Sequence, residues 1–226
     1  MWVYLYQNNS ELAMKNAYIW EVWTPWANTV AYYEFDWNLN DSSGNNKNLS
    51  LYSWTASYWT TSGGAKYINF PNTCWTTYWE DTISYGGTTL SFWYKWNSGY
   101  DAKPIIEIWA SGYDIYGRIS GDVTFEYFTS WPFPSYSAWS NWHYYTVVRD
   151  GNNNSKIYVD WQLVANGNWT WSWTRAVRFR FNQYGDSNTS SNCNTWNLSE
   201  VIFESRDRTV TELQHYYNLT KSNYGL

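Results

Sequence analysis

Long apolar runs and clusters of basic residues are both missing from this chain of 226 residues. No run approaches the roughly 18 apolar residues that a membrane-spanning helix needs, so no transmembrane segment is predicted. Lys and Arg number 14 against 19 Asp and Glu, which gives a formal net charge of −5. This acidic balance without a basic patch argues against a nucleic-acid partner.

Cysteine is scarce as well. The two cysteines, Cys74 and Cys193, make at most one disulfide, and their spacing matches no zinc-binding pattern. One bridge across so long a loop would stabilise the fold by about 4 kcal/mol. Two free thiols are the alternative that the sequence leaves open.

Charged residues amount to only 15% of the chain, whereas aromatic residues reach 23% and include 20 tryptophans. Aromatic side chains must therefore form much of the core, which excludes disorder of the whole chain. The first residues, MWVYLYQNNS, lack the basic and apolar regions of a signal peptide. Export would depend on information outside this chain, or the chain would be the C-terminal part of a longer protein. We expect a leader over residues 1–27, a domain over 28–220 and a tail over 221–226.

Runs rich in β-branched and aromatic residues predict β-strands along most of the chain. The clearest are VAYYEF (30–35), KYINF (66–70), TLSFWYKW (89–96), PIIEIWA (104–110), DVTFEYF (122–128), WHYYTVVR (142–149), KIYVDWQLV (156–164), AVRFRFN (176–182) and NLSEVIFES (197–205). Several alternate between polar and apolar residues, and no helical stretch of 10–15 residues separates them. The predicted fold class is all-β, an antiparallel sandwich or jelly roll.

One short helix is predicted near the C-terminus, in RTVTELQHYYNLT (208–220). Thr209 followed by Glu212 is a capping box. Leu213, Tyr216 and Tyr217 then fall on one face, which would pin the helix to the sandwich.

Four segments resemble laminin-G-like, concanavalin-like jelly-roll domains, in the order expected for that family. They are AYYEFDWNLNDSSGNNKNLSL (31–51), SFWYKW (91–96), WHYYTVVRDGNNNSKIYVDWQLV (142–164) and SEVIFESRDRTVTELQHYYN (199–218). The resemblance implies a β-sandwich that binds carbohydrate or another surface molecule in the extracellular space.

Two tryptophans depart from the family pattern, because Trp37 and Trp161 stand where the family has glycine. An Asp-Gly hairpin needs positive φ at both central residues, where a bulky side chain is strained. Tryptophans also crowd the loop segment NGNWTWSWT (166–174). This pattern is typical of UGA codons translated as Trp in a candidate-phylum bacterium that reads UGA as glycine. A natural Trp-rich surface is the alternative, and Trp93 and Trp142 match the family's own tryptophans.

The carboxylate pattern does not predict an enzyme. A retaining glycosidase needs two carboxylates roughly 5–5.5 Å apart, which strand motifs of the Glu-x-Asp-x-x-Glu type supply. Asp122 and Glu126 are the nearest imitation, and no third carboxylate follows them. We therefore predict no catalytic residues, with a degenerate glucanase as the weakest alternative.

Two loops carry the oxygen ligands that calcium prefers, and laminin-G-like domains often hold this ion. One contains Asp36 and Asp41, and the other contains Asp186, Asn188 and Asn192. The first is not an EF-hand, because Lys stands where the bidentate Glu would be. Asp and Asn are also ordinary turn residues, so a purely structural loop around Asp41 is the alternative.

Carbohydrate binding needs aromatic faces beside polar groups that satisfy hydroxyls. The loop residues predicted for that role are Tyr184, Asp186, Asn188, Tyr113 and Tyr136. We predict a non-catalytic carbohydrate-binding or adhesive module of a bacterial surface protein, whose partner is a glycan or a surface protein. A structural or protein-binding sandwich without a sugar site is the alternative.

Overall fold

The computed structural model describes residues 27–49, 57–70, 78–83, 87–98, 103–110, 113–119, 122–126, 136–137, 141–152, 154–168, 175–181 and 195–226. These residues form 14 strands, one α-helix and a closing 3-10 helix. The strands are β1 (Thr29–Tyr33), β2 (Ser57–Thr60), β3 (Lys66–Phe70), β4 (Tyr78–Ile83), β5 (Thr88–Ser98), β6 (Lys103–Ala110), β7 (Tyr113–Ile119), β8 (Asp122–Glu126), β9 (Tyr136–Ser137), β10 (His143–Arg149), β11 (Asn154–Val159), β12 (Gln162–Asn168), β13 (Arg175–Phe181) and β14 (Thr195–Glu204). The helix α1 spans Val210–Thr220 and the 3-10 helix spans Lys221–Tyr224.

The described strands pair antiparallel in two sheets. The larger has eight strands in the order β12-β11-β10-β5-β14-β3-β2, with β1 added beside β14. The smaller has the order β4-β13-β6-β7-β8-β9. The prediction of an antiparallel all-β chain with one short C-terminal helix is confirmed. Four strands were not predicted: β2, β4, β7 and β9. Asp81 in β4, and Asp114 and Gly117 in β7, are residue types that strands disfavour, and they interrupt the pattern of β-branched and aromatic residues. The strands β2 and β9 are very short.

The centre of the larger sheet is buried on both faces, because aromatic side chains alternate across β5 and β10. Phe92 stacks on Tyr145 with ring centroids 5.6 Å apart. On the opposite face, Trp93 lies 5.2 Å from the ring of Tyr144, in the cluster that also contains Tyr216 of α1. Such side chains account for the core of a chain that has few aliphatic residues.

The helix begins where the sequence predicts. The side chain of Thr209 accepts from the backbone N–H of Glu212, and Glu212 accepts from the backbone N–H of Thr209, which completes the capping box. A buried ion pair between Arg208 and Glu204 joins the residue before the cap to the end of β14. The helix is therefore fixed to the sheet at its first turn as well as along its aromatic face.

The segment expected as a tail packs against the domain. Tyr224, in the 3-10 helix, stacks on Trp93 at 4.0 Å between ring centroids and is buried. Residues 221–226, which the sequence predicts to be a tail, thus contact the core through a buried aromatic ring. Residues 1–26, expected as most of a leader, lie outside the described residues.

Candidate functional site

The candidate site lies where β14 changes its neighbour. Residues 196–198 of β14 pair with β3, and residues 201–204 pair with β1. The pairing of β14 with β5 shifts register between Ser199 and Ile202, as in a β-bulge. Glu200 occupies this irregularity with a φ of 47°, in the left-handed region. The end of β1 and the start of β3 therefore meet beside Glu200.

A cleft of about 380 Å³ opens at this joint. Its lining residues are Tyr32, Glu34, Asp36, Gly63, Gly64, Ala65, Lys66, Glu200 and Asn223. Three of these carry a carboxylate and one carries an ammonium group, so the lining is acidic and rich in hydrogen-bond acceptors.

The helix and the 3-10 helix hold Glu200 in place from behind. The hydroxyl of Tyr216 donates to Oε2 of Glu200 at 2.7 Å. Burial, with a smaller contribution from the negative charge of Glu34, raises the pKa of Glu200 to about 7. The hydrogen bonds from Tyr216 and Tyr224 oppose this shift. Glu200 therefore exchanges its proton near neutral pH, whereas an ordinary glutamic acid is ionised there.

The acidic arm of the cleft is the chain that leaves β1. The predicted strand ran to residue 35, but β1 ends at Tyr33 because Phe35 adopts a φ of 56° and turns the chain. Glu34 and Asp36 on either side of Phe35 are exposed and line the cleft. Glu34 accepts from the hydroxyl of Ser42 at 2.7 Å, which leaves further lone pairs for a ligand.

The opposite wall is the glycine turn between β2 and β3. A side chain at Gly63 would collide with the backbone of residues 222–223, so only glycine allows this close approach. Gly64 has a φ of 100°, which also favours glycine. Thr61 closes the contact, because its hydroxyl donates to the backbone carbonyl of Asn223.

Exposed aromatic rings stand next to the cleft. Trp37 is 58% exposed and lies 6.3 Å from the ring of Tyr58. Lys66 places its Nζ 5.1 Å from the centroid of Trp37 and donates to the hydroxyl of Thr60 at 3.0 Å. Trp59, on β2, is 58% exposed as well. A flat exposed ring beside clustered acceptors offers a ligand both an apolar face and hydrogen-bond acceptors.

Asp36 and Asp41, the two predicted calcium ligands in the loop after β1, have different surroundings. Asp36 lines the cleft. The carboxylate of Asp41 accepts hydrogen bonds from the N–H groups of Tyr32, Ser43 and Lys47 at 2.9–3.0 Å and from the Ser43 hydroxyl at 2.8 Å. Asp41 thus organises the loop, as the structural alternative describes. Within the part of the chain that the structure describes, no group of three or more His, Cys, Asp or Glu side chains is arranged to hold a metal ion.

Most other predicted site residues are in the smaller sheet or outside the described residues. Tyr113 begins β7 and Tyr136 begins β9, both in the smaller sheet. Tyr184, Asp186, Asn188, Asn192, Cys74 and Cys193 lie outside the described residues. Of the two predicted site residues whose side chains the structure describes, Asp36 lines the cleft and Asp41 does not.

Sequence reasoning missed Glu34, Lys66 and Glu200 because each lies in or beside a predicted strand. A weak signal was present, since an acidic residue interrupts the apolar pattern of the closing strand at position 200. The bulge that turns it towards the cleft arises from pairing with β1 and β3, which are distant in sequence.

Among the helices formed by the described residues, none is long and apolar enough to cross a membrane.

Comparisons with known proteins relate this chain to others through its fold alone. No protein-family model matches the sequence, and no curated protein matches it. Solved structures of toxin binding domains are similar over most of the chain. A structure of botulinum neurotoxin type C, whose entrance into cells depends on interaction with two ganglioside molecules, has a TM-score of 0.60 at 16% identity and covers 85% of this chain.

Two further structures give the same result. The binding domain of Paraclostridial Mosquitocidal Protein 1 has a TM-score of 0.63 at 15% identity over 85% of the chain. The binding domain of botulinum neurotoxin DC, in complex with rat synaptotagmin II, has a TM-score of 0.60 at 16% identity over 84%. The chain spans about half the length of these structures, 51%, 52% and 51% in turn. The chain thus shares the β-sandwich fold of these binding domains.

Proposed function

We propose that this chain is a non-catalytic carbohydrate-binding module that acts in the extracellular space or at a cell surface. The observation that carries the proposal is the cleft at the bulge of β14, where Glu34, Asp36 and Glu200 converge beside exposed Trp37. Carboxylates accept hydrogen bonds from sugar hydroxyls, and an aromatic face packs against the apolar side of a sugar ring.

The fold supports this proposal without proving it, because one sandwich can serve many functions. Similar binding domains include one from a toxin that depends on gangliosides. We further propose the jelly-roll topology of laminin-G-like domains and a calcium ion held by Asp186, Asn188 and Asn192, which precede β14 in the sequence. The proposed disulfide between Cys74 and Cys193 would fit an extracellular location.

Backbone geometry supports glycine at two of the tryptophan positions. Trp37 has a φ of 62°, and Asp160 and Trp161 in the turn between β11 and β12 have φ values of 49° and 64°. We propose that UGA codons specify glycine here in the native host. Sequencing the source gene tests this: UGA at positions 37 and 161 with UGG at 93 and 142 is expected, and UGG at all four would contradict it.

A glycan array tests the binding proposal. The chain is applied with calcium and with a chelator, and each hit is repeated by calorimetry. Saturable binding that free glycan competes away is expected, and the double variant Glu34→Gln/Asp36→Asn should weaken it. The matched control is Asp207→Asn, because Asp207 is exposed but does not line the cleft. A blank array, or hits that the double variant leaves unchanged, would contradict a sugar site in this cleft.

A protein partner is the second candidate, and the exposed rings of Trp37 and Trp59 favour it. A similar binding domain is in complex with synaptotagmin II, a protein. A blank glycan array together with saturable binding to a surface protein, lost in Trp59→Ala, would favour this candidate over the sugar site.

A further inference from the structure

The cleft has an uneven distribution of charge, which bears on the class of sugar it would bind if the proposed function holds. Glu34 and Asp36 line one side and Glu200 lies at the junction of β1, β3 and β14. Among the described residues that line the cleft, Lys66 is the one cation. When all four groups are ionised, the lining carries a net charge of −2.

Lys66 is not placed to neutralise this charge. Its Nζ donates to the hydroxyl of Thr60 at 3.0 Å and lies over the ring of Trp37. No described residue pairs it with a carboxylate in an ion pair shorter than 4.0 Å. The carboxylates of the cleft therefore offer more hydrogen-bond acceptor positions than the surrounding side chains have donors to fill.

The phenol of Tyr32, which also lines the cleft, is neutral and does not change the charge of the lining. Burial, together with the negative charges of Glu200 and Glu34, raises the pKa of Tyr32 well above its usual value of 10.0. Its hydroxyl stays protonated and makes a side-chain hydrogen bond with Glu34. The remaining acceptor positions of the carboxylates call for donors from the ligand.

From this charge distribution we infer that the cleft selects sugars whose recognised group is uncharged or bears an ammonium, and that it rejects sugars ending in a carboxylate such as sialic acid. Hydroxyl and ammonium groups donate to carboxylates in charge-assisted hydrogen bonds. A sialic acid would bring a fourth carboxylate into a partly desolvated acidic site, where like charges repel more strongly than in bulk water. This cleft would thus disfavour the sialic acid that a sialylated ganglioside carries.

The protonation of Glu200 should also make the selectivity of the cleft depend on pH. The titratable groups around Glu200 are Tyr32 on β1, Glu34 and Asp36 after it, Lys66 on β3, Tyr216 on α1 and Tyr224 on the 3-10 helix. Because burial raises the pKa of Glu200 to about 7, the cleft is more negative at pH 8 than at pH 6. Rejection of the sialylated sugar should therefore be stronger at pH 8.

The test uses matched glycans that share one core and end in galactose, in galactosamine or in sialic acid. Calorimetry on the whole chain should show at least about tenfold weaker binding of the sialylated member, a difference of about 1.4 kcal/mol. The galactosamine member should bind at least as well as the galactose member. Lys66→Gln should widen the gap, with Lys156→Gln on the exposed side of β11 as the matched control.

The variant Glu34→Gln/Asp36→Asn keeps similar shapes but removes two charges, so it should close most of the gap between galactose and sialic acid. Equal or tighter binding of the sialylated member by the unmodified chain would overturn the inference and leave a sugar site in place. A gap that persists unchanged in the double variant would overturn it too. Absence of binding to all three members by a folded chain would overturn the proposed function together with this inference.

Discussion

Tryptophans in two regions of this molecule have opposite surroundings. Trp93 and Trp142, beneath the C-terminal helix, are 0% and 7% exposed. Trp37, in the turn after β1, is 58% exposed and has a φ of 62°. Trp161 is only partly buried and has a φ of 64°. The same residue type therefore forms the core in one region and occupies strained turns in the other.

The core tryptophans are fitted by many contacts at once. Trp93 stacks on Tyr224 at 4.0 Å and on Tyr217 at 5.8 Å, and its indole N–H donates to the hydroxyl of Thr220 at 3.3 Å. Trp142 lies 5.2 Å from the ring of Tyr67. Trp93 lies within β5 and Trp142 directly precedes β10, and neither has a positive φ. Each side chain has a partner for its polar atom or ring, which is what a large aromatic residue needs in a core.

The turn tryptophans have conformations that glycine adopts without strain. Trp161 follows Asp160 in a two-residue hairpin in which both residues have positive φ, where Asp-Gly is strongly preferred. The backbone at these positions is set by the strands on either side. The difference between the regions teaches that the tryptophan count of this chain mixes core residues with residues that the backbone disfavours.

The largest expected effect is in the core. Trp93→Ala should lower the free energy of unfolding by about 3–5 kcal/mol, because it leaves a cavity among closely packed rings. Urea denaturation followed by far-UV circular dichroism measures this change. Trp59→Ala is the matched control, since Trp59 is 58% exposed, and it should change stability by less than about 0.5 kcal/mol. Similar losses in both variants would erase the contrast between buried and exposed tryptophan.

The next effect has the opposite sign. Trp161→Gly and Trp37→Gly should each raise the free energy of unfolding by about 1 kcal/mol, because glycine relieves the strain of positive φ. The gain at position 37 should be the smaller, since the contact with Lys66 is lost there. Alanine at either position keeps a Cβ and therefore the strain, so Trp161→Ala should give no gain. Stabilisation by alanine and glycine alike would assign the effect to loss of the indole.

Much of the fold could be predicted from the sequence because its determinants are local. Strand periodicity placed most strands, and the Thr209–Glu212 pair placed the start of α1. The positive φ at position 161 was accessible for the same reason, since it follows from the Asp-Gly turn rule.

The cleft could not be predicted in this way, because its determinants are distant in sequence. Glu200 faces the cleft only because β14 pairs with β3 on one side of it and with β1 on the other. Tyr224 supports it only because the 3-10 helix folds back onto Trp93. Asp36 was singled out for its oxygen, but Lys66, Glu200 and Asn223, which line the cleft opposite it, come from distant parts of the chain.

Glu200 has a positive φ like the turn tryptophans, but its carboxylate accepts a hydrogen bond from the hydroxyl of Tyr216. Its folded pKa of about 7 lies above the ordinary value of 4.5, so the stability it contributes is fully present below about pH 4.5 and is lost as pH rises through 7. Glu200→Gln should therefore match the unmodified chain at pH 4.5 and exceed its stability by about 3 kcal/mol at pH 8, because each unit of difference in pKa corresponds to about 1.4 kcal/mol.

Urea titrations at several pH values measure that difference. His215, whose pKa burial lowers, contributes the opposite slope near its own pKa, and comparing the two chains at each pH cancels it. A stability difference that does not change between pH 4.5 and 8 would show that Glu200 does not titrate in this range.

The smallest effect tests whether positive φ alone explains the strained turns. Asn46 has a φ of 58°, close to those of Trp37 and Trp161, but asparagine tolerates this region far better than a bulky residue. Asn46→Gly should therefore change the free energy of unfolding by only about 0.3 kcal/mol, well below the gain from Trp161→Gly. An equal gain at both positions in urea denaturation would mean that any side chain is strained in these turns. A gain confined to the tryptophan positions would mean that tryptophan is strained in turns whose conformation asparagine tolerates, as expected where the backbone favours glycine.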